Sequence, residues 1–184
     1  MNPIAQLYAP LPPQPADLRR CCGRFPTGVT VVTALSGDVG GGMTASAFTS
    51  VSLDPMLVLI CIRNTCSIRP LLLEIRQFAV NILAHDQREC AEYFADPTRP
   101  RGSCQFDAVD WSPGSCTGAP ILAGASASLE CELADVHEAG DHSVVFGRVL
   151  SCAMTDGLDP LVFFASNFGT VADLPPARLR LVRS

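Results

Sequence analysis

Thr44, Ser46, Ser50 and Ser52 stand at even spacings in the stretch Gly40 to Pro55, GGGMTASAFTSVSLDP. In an extended chain, side chains two apart share a face, so the four hydroxyls line one side while Val51 and Leu53 point the other way, into a core. Three glycines precede them, and glycine lets backbone come close to a ligand. A strand of this kind suits a polar, flat ligand. The plainer alternative is an edge strand with a solvated Ser/Thr face, since half-exposed antiparallel strands alternate in the same way.

Other chemistries find less support. Ser50, His142 and Asp141 supply the residue types of a hydrolytic triad, but Ser50 lacks the glycine-flanked turn of a nucleophile elbow. The carboxylates are scattered, and no pair stands out as an acid and a base. Nine cysteines lie at positions 21, 22, 61, 66, 90, 104, 116, 131 and 152, none in Cys-x-x-Cys spacing, and the histidines are His85, His137 and His142. No metal site is expected from that distribution. Cys61 and Cys131 fall inside strand-like runs, where a free thiol behaves as a small hydrophobe in a reducing compartment. Weak side-chain chemistry points to a borrowed reagent, a cofactor that the protein places and shields.

The elements that must position these residues follow from the pattern of the chain. Its 184 residues suit one domain. Hydrophobic residues reach 48% against 17% charged, so some apolar surface is expected to be buried against a partner subunit or a cofactor. A net charge of -5 with no basic run excludes nucleic acid and an anionic membrane surface as partners. The longest apolar run, Met56 to Ile62, falls far short of the roughly 20 residues of a membrane helix. Residues 1–16, rich in proline and without a basic start, are expected to form a mobile arm rather than a signal peptide, which places the protein in the cytoplasm.

From there the spacing predicts a short helix over Ala16–Cys22, a turn at Phe25–Gly28 and a strand over Val29–Leu35 that forms a hairpin with the hydroxyl-bearing strand. Leu57–Ile62 reads as a strand buried on both faces. Ser67 opens a helix to about Ile75 with Pro70 in its first turn, Phe78–Leu83 is a strand, and Asp86 opens a helix to about Phe94. Asp96 to Gly118 reads as a long surface loop, functional or mobile. Ala127–Val136 and Val144–Met154 form a hairpin around Gly140-Asp141-His142, a final strand spans Leu161–Ala165, and residues 172–184 form a tail. Six or seven strands at hairpin spacing, without regular strand–helix alternation, predict a mainly β antiparallel barrel with a few short helices. Gly40-Gly41-Gly42 leads into a strand, so a dinucleotide-binding turn is not supported there.

Four stretches together resemble a known family: Arg19–Ala34 (RRCCGRFPTGVTVVTA), Gly42–Pro55 (GMTASAFTSVSLDP), Phe78–Gln87 (FAVNILAHDQ) and Gly140–His142 (GDH). In order and spacing they are similar to the flavin reductase-like family, and within it to the small NADH-dependent reductases of two-component flavin monooxygenase systems. The resemblance spans about Asp17 to Gly169, with the domain placed at residues 17–171. It implies an FMN-binding split β-barrel of Greek-key type, a homodimer, and hydride transfer from nicotinamide C4 of NADH to N5 of FAD or FMN. The reduced flavin would then pass to a separate monooxygenase. It carries flavin contact onto Thr44, Ala45, Ser46, Ser50, Val51 and Ser52, the flavin phosphate region onto Ser67, and the ring and side chain onto Asn81 and Leu83. His142 matches the position that orients the nicotinamide; read alone, Gly140-Asp141-His142 is a plain hairpin turn. Phe106 and Phe168 are candidate ring or adenine walls, although each judged alone reads first as core packing, and Thr27 lies in the turn on the nicotinamide side. Phe163 to Val171, FFASNFGTV, departs from the family in carrying no Arg or Lys. A flavoenzyme that retains its flavin and acts on an organic substrate, and a flavin-binding barrel without catalysis, are the alternatives.

Overall fold

The computed structural model describes residues 14–171; most of the expected arm and the whole of the expected tail lie outside the described residues. The elements in chain order are α1 (Pro15–Cys22), β1 (Thr27–Gly28), β2 (Thr30–Ser36), β3 (Val39–Ala45), β4 (Phe48–Leu53), β5 (Met56–Arg63), α2 (Ile68–Ile75), β6 (Gln77–Ile82) and α3 (Arg88–Ala95). After them come a 3-10 helix (Ser103–Ala108), β7 (Trp111–Pro113), β8 (Pro120–Leu122), β9 (Ala127–Ala139), β10 (His142–Met154), β11 (Val162–Phe164) and β12 (Asn167–Gly169). The segment expected to be a long loop thus contains a helix turn and a short strand. β2 (TVVTALS), β6 (QFAVNI) and β11 (VFF) are rich in the aromatic and β-branched residues that the pleat favours.

Seven strands form one antiparallel sheet in the order β3-β2-β6-β9-β10-β5-β4. Its two edges, β3 and β4, are joined through Ser46 and Ala47 alone, and Cys61 N–H donates to Ala47 O across the junction at 3.0 Å. So short a connection brings the two edges together, and the sheet closes on itself as a barrel with a seam between β3 and β4. Val32, Ile60, Ile62, Phe78, Val80 and Val145 fill the inside, with Ile68 and Leu72 of α2 packed among them. A second cluster lies on the outer face of β2, where Val29 and Val31 meet Ala91 and Phe94 of α3, Phe106, Leu122 and Leu161. β1, β11 and β12 form a small separate sheet beside it.

Three expectations about direction are corrected. Val51 and Leu53 do not enter a core; they are 45% and 88% exposed. The four hydroxyls do not share one strand face, because the chain bends at Ser46 and a bulge interrupts β4: Ser50 pairs with Val58 but Ser52 with Leu57, neighbours that point to opposite faces of β5. β5 is buried on one face, through Val58, Ile60 and Ile62, with Leu57, Leu59 and Cys61 half-buried on the other. A closed barrel has an inside and an outside, so its strands alternate.

Candidate functional site

A cavity of about 840 Å³ runs along the edge of β3. On one side stands the chain leading into α2, with Arg63, Thr65, Cys66 and Ser67; on the other stand Phe94, Ala95 and the segment from Pro97 to Gly102. Met43 and Thr44 project from β3 itself, and Leu71 reaches in from α2. Ser67 is the N-cap of α2, yet its hydroxyl makes no capping bond and remains exposed. Thr44 Oγ1 donates to Ala91 O at 2.6 Å, which tethers β3 to α3.

The glycines of β3 serve packing more than ligand approach. A Cβ on Gly41 would come within 2.8 Å of Leu71 Cδ1, and one on Gly42 within 2.4 Å of the Phe94 ring. Their absence lets α2 and α3 lie directly on either face of the strand. As a sheet edge, β3 also has backbone groups that need partners. Gln105, 3% exposed, accepts from Gly42 N–H at 2.8 Å and donates to Gly40 O at 3.2 Å, while Arg99 donates to Gly42 O. Side chains thus replace a missing neighbour strand and hold the cavity wall in place.

His142 begins β10, at the rim of the same region, and its Cα partner in β5 is Arg63. Its Nδ1 lies 2.7 Å from Asp141 Oδ1. That hydrogen bond, aided by the charge of the imidazolium form, holds the Asp141 carboxyl below the usual carboxylate range. The turn is fastened to the start of α2 by a polar network. Asn64 Nδ2 donates to Gly140 O at 3.1 Å, Ser143 Oγ to Asn64 Oδ1 at 2.7 Å, and Arg69 Nε to Ser143 Oγ at 2.9 Å, with Glu138 paired to Arg69 at 2.8 Å. His142 is therefore a fixed part of the strand end rather than the tip of a loose turn. Ser50 pairs with Val58, five residues along β5 from Arg63, about 16 Å away, so one chain does not assemble the hydrolytic triad.

The cavity brings together Thr44 and Ser67 of the expected site. Ser46, Ser50, Val51 and Ser52 lie at and beyond the seam, on the exposed β4, and Ala45 is buried beneath it. Side chains of Asn81, Leu83 and Phe106 are buried inside the protein. Asn81 Nδ2 reaches Val31 O, Thr33 Oγ1 and Pro120 O, and its Oδ1 accepts from Leu122 N–H at 2.9 Å. Phe106 packs between Phe94 and Trp111, at centroid distances of 5.9 and 5.8 Å. Thr27 and Phe168 sit in the small sheet, where Phe168 contacts Phe163 and Arg88. Thr27 Oγ1 is buried and has no hydrogen-bond partner among the described residues.

Arg63, Thr65, Cys66, Arg99, Arg101 and Gln105 were not anticipated. A signal was present for three of them, since Arg99, Arg101 and Gln105 belong to the Pro- and Gly-rich segment whose length marked it as functional or mobile. The thiols are all unpaired, and burial pushes Cys131 up to about 12 and Cys90 up to about 11, which keeps both protonated as packing groups. No helix among the described residues is long and apolar enough to cross a membrane.

The model for the flavin reductase like domain matches residues 22–172. An NADH-dependent FAD reductase of Streptomyces globisporus is 44% identical over 170 residues, covering 91% of this chain and 93% of that protein. The reductase subunit of a flavin-dependent monooxygenase from Rhodococcus jostii is 35% identical over 154 residues, covering 84% of this chain and 76% of that one. Among solved structures, the flavin reductase component of a bacterial two-component tryptophan halogenase superposes with a TM-score of 0.82 at 42% identity, covering 90% of this chain and 100% of the other.

Proposed function

The chain belongs to the flavin reductase-like family, and we propose that it is an NADH:flavin oxidoreductase that reduces FAD or FMN and releases the product to a separate flavin-dependent monooxygenase. The observation that carries the assignment is the lining of the cavity. A flavin nucleotide combines a flat, largely apolar ring, a hydroxylated chain and a phosphate. The cavity wall offers Met43, Leu71 and Phe94 as apolar surface, Thr44, Thr65 and Ser67 as hydroxyls, and three arginines. Its volume lies in the range of small-ligand sites.

When bound, the flavin supplies the acceptor for the hydride of NADH. The chain's own residues bind and orient. Thr44 and Ser67 hold the hydroxylated part within the cavity, and the exposed Ser46, Ser50, Val51 and Ser52 continue the site past the seam. Asp141 anchors His142 through Nδ1, which leaves Nε2 to hydrogen-bond the carboxamide of the nicotinamide. No side chain has to act as a general base. The test is NADH consumption by the purified chain with FAD, with FMN and without flavin. Turnover that saturates in added flavin is expected; flavin that stays bound through gel filtration, with no turnover of added flavin, would overturn the diffusible-product reading.

The unit assigned here is one split-barrel domain over residues 17–171, and its exposed apolar edge supports a homodimer. Val51, Leu53 and Met56 project from the β4–β5 hairpin at 45%, 88% and 54% exposure, and Leu150 and Met154 lie exposed on β10. A second copy covering this hairpin would bury it and wall in the β4 half of the site. Leu53→Glu combined with Met56→Glu is expected to weaken self-association by about 100-fold or more, since two unpaired carboxylates would enter the contact. Light scattering after size exclusion would show it as a halved mass. A wild-type chain already of monomer mass removes the dimer. The nine unpaired thiols favour the reducing cytoplasm as its location.

A further inference from the structure

His142 is held through its neighbours more than through its own ring. The carboxylate that meets its imidazole belongs to Asp141, whose side chain is 91% exposed, and a solvated pair of this kind contributes little to fixing a position. The backbone around it is gripped from one residue. Asn64 follows Arg63, the β5 partner of His142, and stands just beyond the end of that strand. Its N–H donates to Asp141 O at 3.0 Å, its Nδ2 donates to Gly140 O at 3.1 Å, and its Oδ1 accepts from Ser143 Oγ at 2.7 Å. These bonds take both residues before His142 and the one after it. Ser143, 0% exposed, is braced in turn by Arg69 Nε, which donates to its Oγ at 2.9 Å.

The same residue sits within the cavity wall. Arg63, Thr65, Cys66 and Ser67 line the cavity, and Asn64 lies among them with its polar atoms turned to the β9–β10 hairpin end. Cys66 N–H donates to Arg63 O at 2.9 Å and Arg69 N–H to Cys66 O at 3.1 Å, so this stretch is a fixed turn running into α2. Asn64 is therefore the joint between the cavity wall and the strand end that carries His142. Hydride transfer needs its reacting atoms about 3 to 3.5 Å apart and aligned, a tolerance that a swinging hairpin end would not meet. Resting on the assignment of this cavity to flavin and of His142 to the nicotinamide, we propose that Asn64 is a positioning residue for the reaction. It fixes His142 relative to the cavity through the backbone of Gly140 and Asp141 and the hydroxyl of Ser143, and it touches neither ligand.

The test measures three quantities in the wild type, Asn64→Ala and Asn64→Asp: the flavin dissociation constant from flavin fluorescence, kcat/KM for NADH at saturating flavin, and hydrogen exchange of the flavin-free chain over residues 140–143. Asn64→Asp keeps the volume and the acceptor for Ser143 but loses the donor to Gly140 O. Both variants are expected to lose about 10- to 100-fold in kcat/KM for NADH with the flavin constant unchanged. Both should exchange about tenfold faster at the hairpin end. In a His142→Ala background, Asn64→Ala is expected to cost nothing further, because the contact it positions is already gone. Additive losses would overturn the proposal, as would a harmless His142→Ala or unchanged exchange over residues 140–143. A flavin constant weakened as much as kcat/KM would overturn it too, because Asn64 would then shape the cavity itself. Should Asn64→Ala fail to fold, Asn64→Asp decides. A wild type that consumes no NADH with either flavin removes the reductase reading and this inference with it, whereas an active wild type matched by both variants removes the role of Asn64 alone.

Discussion

Asn81→Leu is expected to lower the unfolding free energy by about 3 to 4 kcal/mol, one of the largest effects of a single substitution in this chain. The side chain is 0% exposed, and its four contacts join β6 to two other parts of the fold: β2 through Val31 O and Thr33 Oγ1, and the β7–β8 hairpin through Pro120 O and Leu122 N–H. Leucine fills a similar volume but leaves Leu122 N–H buried without an acceptor and Val31 O without its extra donor. Thr33 Oγ1 still donates to Pro120 O at 2.6 Å, so the hairpin is loosened rather than released. A shift of the urea midpoint at unchanged slope would show the loss. An unchanged midpoint accompanied by lost flavin affinity would instead place the amide in ligand binding.

The strands were legible because their residue types are local information. Thr30–Ser36, Gln77–Ile82 and the long pair from Ala127 to Met154 declare themselves by β-branched and apolar runs between turn residues. Which edges meet is not local. Closure at the seam depends on β3 and β4 lying at opposite ends of the sheet order, and that follows from pairings across more than 80 residues of chain, such as Ser143 with Ile62. The bulge between Ser50 and Ser52 is likewise invisible to a count of two, and it is why those two hydroxyls do not share a face. An apolar residue signals burial somewhere, without saying whether one chain or two provides it.

The site divides along the same line. Thr44 and Ser67, which line the cavity, were singled out by the resemblance and, for Thr44, by the hydroxyl spacing, whereas His142 was singled out by the resemblance alone, since Gly140-Asp141-His142 reads by itself as a hairpin turn. Arg99 and Gln105 were not, because their roles depend on lying against Gly40 and Gly42, some 60 residues earlier, along an edge whose vacancy is a property of the folded sheet. Asn81 shows the converse. A polar residue inside an apolar strand draws attention as a ligand contact, but a buried amide with both donors and its oxygen engaged is equally a device for fastening loops.

Glu130→Ala is expected to cost about 3 kcal/mol and to abolish an acid-sensitive part of the stability. This carboxylate, 5% exposed on β9, was absent from every sequence expectation. Burial alone would push its pKa up. The donors around it outweigh that: Thr117 N–H at 2.7 Å and Oγ1 at 2.8 Å, Cys116 N–H at 2.9 Å and Ser115 Oγ at 3.3 Å together hold it below the usual carboxylate range. A carboxylate with a depressed folded pKa contributes stability above its unfolded pKa and loses it as pH falls through the folded value. The wild type should therefore lose stability below about pH 4.3 more steeply than the alanine variant, whose curve lacks this contribution. Gly114 provides an internal control, because a Cβ there would lie 2.3 Å from Glu130 Oε2. Gly114→Ala should destabilise the wild type and do so less in the Glu130→Ala background, a coupling that a double-mutant cycle measures. Additive effects would mean that the two residues act separately. Coupling would show that the carboxylate pins the segment before β8 while Asn81, one strand over on β6, pins β8 itself. That shared hairpin carries Trp111 against Phe106, which packs on Phe94 at the cavity wall. Loosening either fastening then reaches the site through packed rings rather than through any contact with its ligand.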